Sequence, residues 1–196
     1  MRNRAKWLIA VLIVLIVGGT AGALTAFWEV DALWGMGRVK SGAWGTNFTF
    51  GGKDANPWVR AGVAVRGLLA LTRTETVYFQ PLTDSEGRAL RTDCDYTIQG
   101  KGVDARWWSI TVYGDDNFLI PNAQKRYAYT MNNIRYEDDG SFKIHLSRLP
   151  GDGNWLPLGE KTQDFSITLR LYNPGENVCL NPEKLDLPKI TREACQ

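Results

Sequence analysis

The side chains best suited to hold a ligand fall in two strand-like stretches and at two loop ends. In RWWSITVYGDDNFLIPN (residues 106–122) Trp107 and Tyr113 stand an even number of residues apart, and so do Arg170 and Tyr172 in FSITLRLYNP (165–174). Even spacing along an extended strand puts each pair on one face. Indole and phenol rings stack on sugar faces or apolar ligands while their polar tips hydrogen-bond, and a guanidinium recognises carboxylate or phosphate. Asn122, and Trp155 in GNWLPLG (153–159), fall at expected loop ends where they would rim such a face. The plainer alternative is that a helix expected at 57–71 lies over these rings and makes them a second small core, the usual use of large aromatics.

Catalysis has less to draw on. The single histidine, His145, is expected mid-strand on a solvated face, and no G-x-S-x-G turn precedes a helix, so a Ser-His-Asp triad lacks its parts. With one histidine and no CxxC spacing a zinc site is short of ligands, and neither metal nor cofactor is expected. Gly35-Met36-Gly37 has no strand before it or helix after it, as a dinucleotide-binding turn requires. Carboxylates remain. Asp115-Asp116, Asp138-Asp139 and Asp152 fall in turn-like segments, where aspartate commonly hydrogen-bonds its own backbone. A glycosidase needs two carboxyl groups about 5 to 9.5 Å apart across a cleft. Glu75, between helix and strand, is expected to pair with an arginine.

Strands must position these residues. From Thr76 onward the apolar period is two: TVYFQ, CDYTIQ, RWWSITVY, SFKIHLSRL and DFSITLRLY alternate, separated by Gly, Asn, Asp and Pro. Trp108, Ile110 and Val112 share one face of their strand, as do Phe142, Ile144 and Leu146, and Phe165, Ile167, Leu169 and Leu171. Such alternation marks antiparallel sheets with one buried face. Several short strands of this kind predict an all-β fold, a jelly-roll-like antiparallel sandwich. One amphipathic helix precedes it, with Asn56 as N-cap, Pro57 at the first position and an apolar face from Val59 through Val63 to Leu69. Gly62 and Gly67 weaken this helix. Residues 29–55, rich in glycine and aromatics, read as a linker with short strands; Asn47-Phe48-Thr49 there matches a glycosylation sequon, a motif common by chance.

Ahead of all this, Trp7 to Trp28 runs without a charge. As a helix it is roughly 33 Å long, against a bilayer core of about 30 Å. Arg2, Arg4 and Lys6 precede it, which predicts residues 1–6 in the cytoplasm, a transmembrane anchor over 7–28 and the remainder on the far side. A signal peptide cleaved after Ala21-Gly22-Ala23 would deliver the domain to the same compartment, but the apolar run continues to Trp28 and favours a retained anchor. Of 23 basic and 21 acidic residues, the first 28 positions hold three bases and no acid. The remainder is therefore slightly acidic, and nucleic acid is not an expected partner. Cys94, Cys179 and Cys195 all follow the span; in an oxidising compartment two should bond and one stay free, and spacing does not choose the pair.

The stretches RWWSITVYGDDNFLIPN, GNWLPLG, FSITLRLYNP and the terminal LPKITREAC (187–195) resemble the DUF1214 family of bacterial envelope proteins, over roughly residues 35–196. The resemblance implies a jelly-roll-like domain over 56–196, held in the periplasm by a single pass through the bacterial inner membrane. It brings no catalytic residues. Longer relatives carry a DUF1254 domain where this chain has its membrane helix, so a separately encoded DUF1254-type protein is an expected partner. Short relatives have a cysteine before a Y-x-I-x-G strand and another at the C-terminus, which implies a Cys94–Cys195 disulfide and leaves Cys179 over. The expected function is a membrane-anchored envelope module that binds a small ligand or envelope glycan, or acts as a scaffold. The alternative is a carboxylate-dependent hydrolase of a glycan or small ester.

Overall fold

The N-terminal bases and the charge-free run form one continuous helix in the computed structural model, which describes residues 2–34, 38–81 and 83–195. In this helix, α1 (Arg2–Trp34), the stretch Asn3–Trp28 is long and apolar enough to cross a membrane and is not buried by the rest of the chain. Its threonines suit hydrocarbon: Thr20 and Thr25 return their hydroxyls to the carbonyls of Ile16 and Ala21, one turn back. Gly35-Met36-Gly37 lies outside the described residues.

The strands follow as β1 (Val39–Ser41), β2 (Trp44–Thr46), β3 (Thr76–Pro81), β4 (Cys94–Lys101), β5 (Ala105–Gly114), β6 (Ala128–Thr130), β7 (Ser141–Ser147), β8 (Asn154–Pro157), β9 (Phe165–Pro174) and β10 (Lys189–Cys195). Helix α2 (Pro57–Val65) precedes β3, and the short α3 (Glu176–Leu180) follows β9. One sheet has the order β1-β2-β3-β9-β5-β6 and the other β10-β4-β7-β8. The alternating apolar faces meet in one core. Val77, Phe79, Trp108, Ile110, Ile167 and Leu169 of the first sheet pack with Ile98, Phe142, Ile144, Leu146 and Ile190 of the second. Trp108 stacks on Phe142 with ring centroids 5.1 Å apart. The Cys94–Cys195 disulfide closes the end of the β4–β10 pair, and Cys179 is free.

Three features depart from the sequence expectations. The pairing is antiparallel except between β7 and β8, which run parallel. A short loop at 148–153 makes that return because β8 has only four residues and rises about 10 Å, within reach of six extended residues. Helix α2 stops at Val65, short of the expected Leu71. Gly67 enters the left-handed region at φ 62°, its N–H reaches the Ala64 carbonyl, and the Leu68 N–H reaches that of Val63. This Schellman pattern ends a helix wherever glycine accepts the left-handed turn. Glu75, expected beside an arginine, is exposed and accepts hydrogen bonds from the Thr72 N–H and hydroxyl, closing the 72–75 turn. At the other end of α2 the expected cap is present, with the Asn56 side chain accepting from the Val59 N–H at 2.9 Å. Asn47 of the sequon is buried and its Oδ1 accepts from the Thr49 N–H and hydroxyl.

Candidate ligand-binding groove

The face of the larger sheet turned away from the core carries the polar half of each alternating strand. Register places Tyr78 of β3 beside Arg170 of β9, and Arg170 beside Ser109 of β5. One step along, Gln80 donates to the Thr168 hydroxyl at 3.2 Å. Arg170 is the centre of this face. Its guanidinium lies over the rings of Tyr113, at 5.3 Å, and Tyr78, at 5.9 Å, and donates to the Tyr113 hydroxyl at 2.6 Å. Two aromatic faces hold the cation by their ring quadrupoles without cancelling its charge. Among the described residues no carboxylate forms an ion pair with it.

The expected helical cover only partly closes this face. Having ended at Val65, the chain crosses the sheet as an irregular segment pinned where the Tyr78 hydroxyl donates to the Leu69 carbonyl. Helix α2 builds its own small cluster from Phe50, Ala55 and Val59. A groove of about 250 Å3 stays open between Val65–Leu68 on one side and Asp116–Phe118 on the other, with Gln80, Tyr113, Ser166, Thr168 and Arg170 lining it. Arg38 approaches the same floor and donates to the Gln80 carbonyl at 3.4 Å. Burial, and then the nearby charge of Arg66, hold the Arg38 guanidinium below its ordinary pKa. Burial first, and then the neighbouring Tyr172, raise the Tyr78 phenol, with Arg170 opposing them.

The six residues singled out from the sequence divide among three places. Tyr113 and Arg170 line the groove. Trp107 and Tyr172 pair edge-to-face at 5.3 Å, one step along the sheet from Tyr78 and outside the groove lining. Trp155 and Asn122 border another cleft, of about 740 Å3, formed largely by residues 119–124 and 157–163. Trp155 stands within β8, only 5% exposed, and its indole N–H donates to the Ser147 hydroxyl at 2.9 Å. Asn122 clasps its own loop through the Ile120 and Arg126 backbones. Tyr78 and Gln80 were missed by the sequence reasoning, although the alternation of TVYFQ carries their signal: both oppose the buried Val77 and Phe79.

Two of the turn aspartates cap their own turns. Asp116 Oδ1 accepts from the Phe118 N–H, and Asp139 Oδ1 from the Ser141 N–H and hydroxyl. His145 is half-buried with Nδ1 3.2 Å from the Thr97 hydroxyl.

A family model described as "Protein of unknown function (DUF1214)" matches residues 75–176. The VPA0106 protein from Vibrio parahaemolyticus has a similar fold, with a TM-score of 0.58 and 24% identity over 72% of this chain and 36% of its own. An uncharacterized protein from Burkholderia cenocepacia aligns at a TM-score of 0.40 and 13% identity, over 94% of this chain and 52% of its own. This chain thus spans about a third of the first structure and about half of the second. No curated protein matches it. The family model runs from the residue before β3 to the start of α3, through every strand of the groove floor, and the chain belongs to the DUF1214 family.

Proposed function

We propose that this is an envelope protein whose jelly-roll-like domain is held in the periplasm by a single inner-membrane span and binds a small anionic ligand in the groove around Arg170. One observation carries the reading: a guanidinium clasped by two tyrosine rings, without a carboxylate partner among the described residues, on the floor of an open groove. A buried or half-buried cation without a counter-ion is costly, and an incoming carboxylate or phosphate would supply the missing partner. Gln80, Thr168 and Ser166 add neutral hydrogen-bonding groups beside it. One carboxylate oxygen of Asp116 and one of Asp139 are tied to their own turns, which supports binding over carboxylate-dependent hydrolysis.

The test is thermal unfolding of the full chain in zwitterionic nanodiscs during titration with acetate or inorganic phosphate. A ligand that binds only the folded state raises the melting temperature, and the rise keeps growing with its concentration above the Kd. The wild-type melting temperature is expected to climb with either anion and that of Arg170→Met to stay flat. Equal responses of the two proteins would end the reading.

A further inference from the structure

The lips of the groove are apolar where its floor is cationic. Val65 closes one lip and Phe118 the other, 66% and 74% exposed, with Leu69 75% exposed beside the first. Single exposed apolar residues are ordinary on protein surfaces, but a cluster flanking one opening is a binding feature. The exposure of Phe118 is built in. Its turn is fixed by the Gly114 N–H donating to the Phe118 carbonyl, by the Phe118 N–H donating to the Asp116 carboxylate, and by Asn117 at φ 65°. The first lip is the end of α2, and α2 packs against α1, the helix apolar enough to cross a membrane. Trp58, at the other end of α2, is also exposed, so apolar surface continues along the helix that lies beside α1.

We propose that the groove takes a single-chain anionic amphiphile, its carboxylate or phosphate head on Arg170 and its alkyl chain lying across Val65, Leu69 and Phe118. This rests on the reading of the groove as an anion site and adds the class of ligand. A purely soluble anion has no use for the lips, and a neutral lipid has no use for Arg170. Helix α2 contacts α1, so the groove lies beside the helix that carries the apolar stretch, where a membrane would supply such molecules.

The experiment is isothermal titration of the full chain in zwitterionic nanodiscs with octyl phosphate and with inorganic phosphate, empty nanodiscs supplying the partition blank. Octyl phosphate is expected to bind at least about tenfold more tightly than phosphate, the gain from burying two methylenes. The double variant Val65→Ser, Phe118→Ser is expected to bring the affinity for octyl phosphate down towards that for phosphate. Arg170→Met is expected to weaken both probes by about tenfold or more. Should that variant fail to fold, Arg170→Lys gives the same comparison with a smaller loss, because a point charge replaces the planar fork. Equal affinity for the two probes, both dependent on Arg170, would overturn the amphiphile and leave the anion site standing. Octyl phosphate binding that ignores Arg170 would overturn the anion site itself.

Discussion

Neighbouring tryptophans on β5 meet opposite surroundings, and their substitutions should separate accordingly. Trp108 is buried in the intersheet core and stacks on Phe142. Trp108→Ala is expected to cost about 3 to 5 kcal/mol, the range for removing a buried aromatic ring. Trp107 is half-buried on the outer face with Tyr172 as its ring partner. Trp107→Ala should cost about 1 kcal/mol, mainly the edge-to-face contact and partial burial. Urea unfolding of the two variants side by side checks the difference. Asp84 is the other residue with a sharp prediction. It is fully buried, which disfavours its charge, but the backbone N–H and guanidinium of Arg88 and the Glu86 N–H outweigh burial and hold its carboxyl below the ordinary aspartate range. Arg192 of β10 lies 3.4 Å away on the same carboxylate. A carboxyl depressed in the folded state contributes stability that is present above its unfolded pKa, near 3.9, and is lost as pH falls through the lower folded value. The chain should therefore lose stability on acidification below about pH 4, and Asp84→Asn should flatten that acid limb in melts recorded across pH.

Gly67 and Gly51 both adopt the left-handed region but in different surroundings, so their alanine variants should differ in cost. Gly67 ends α2 at φ 62°, and a Cβ there would meet nothing within 4 Å. Gly67→Ala should cost about 1 kcal/mol, the conformational penalty alone. Gly51, at φ 67°, would place a Cβ 2.3 Å from the Leu71 carbonyl oxygen, which is backbone and has nowhere to go. Gly51→Ala adds a clash to the same penalty and should cost more than about 3 kcal/mol. Chemical denaturation of both variants measures the gap; equal losses would mean that the segment over the sheet is looser than its contacts imply. The same segment forms one lip of the groove, so Gly51→Ala is also expected to weaken octyl phosphate binding.

Across the whole molecule the disulfide and the long apolar helix set the boundary conditions. Cys94 and Cys195 are 101 residues apart, and a closed loop of that length restricts the unfolded chain by about 4 to 5 kcal/mol in the entropic treatment. Reduction, or the paired Cys→Ser substitution, should lower the melting temperature substantially. Burial raises the Cys179 thiol above its ordinary pKa, with Arg73 opposing, and its Sγ is directed at the Arg73 carbonyl. Peptide mapping without reductant should return Cys94 joined to Cys195 and slow alkylation of Cys179 near neutral pH. Topology is read with fusions after Gln196: a reporter active only in the periplasm should work there, and activity of a cytoplasm-only reporter would reverse the proposed orientation.

Much of this was legible in the chain because its signals are local. Alternation of period two decides which side chains of a strand share a face, and Trp108, Ile110, Phe142, Ile144, Ile167 and Leu169 are all buried in the core they pointed to. The apolar run announced a helix long enough to span, and Asn56-Pro57 announced where α2 begins. Face, however, is not place. Tyr113 and Arg170 are 57 positions apart, and they meet because β9 pairs with β5 in one particular register. Tyr78 joins them because β3 lies on the other side of β9. Trp155, alike in chemistry, went to the second sheet through the parallel β7–β8 pair. The end of α2 also depended on distant residues: apolar periodicity ran on to Leu69, but Gly67 permits a left-handed turn and Tyr78 holds the segment that follows. Strand pairing and chain crossing are contacts between residues far apart in sequence, chosen by the packing of the whole core. They alone decided which of the outward-facing rings and guanidiniums would share a groove.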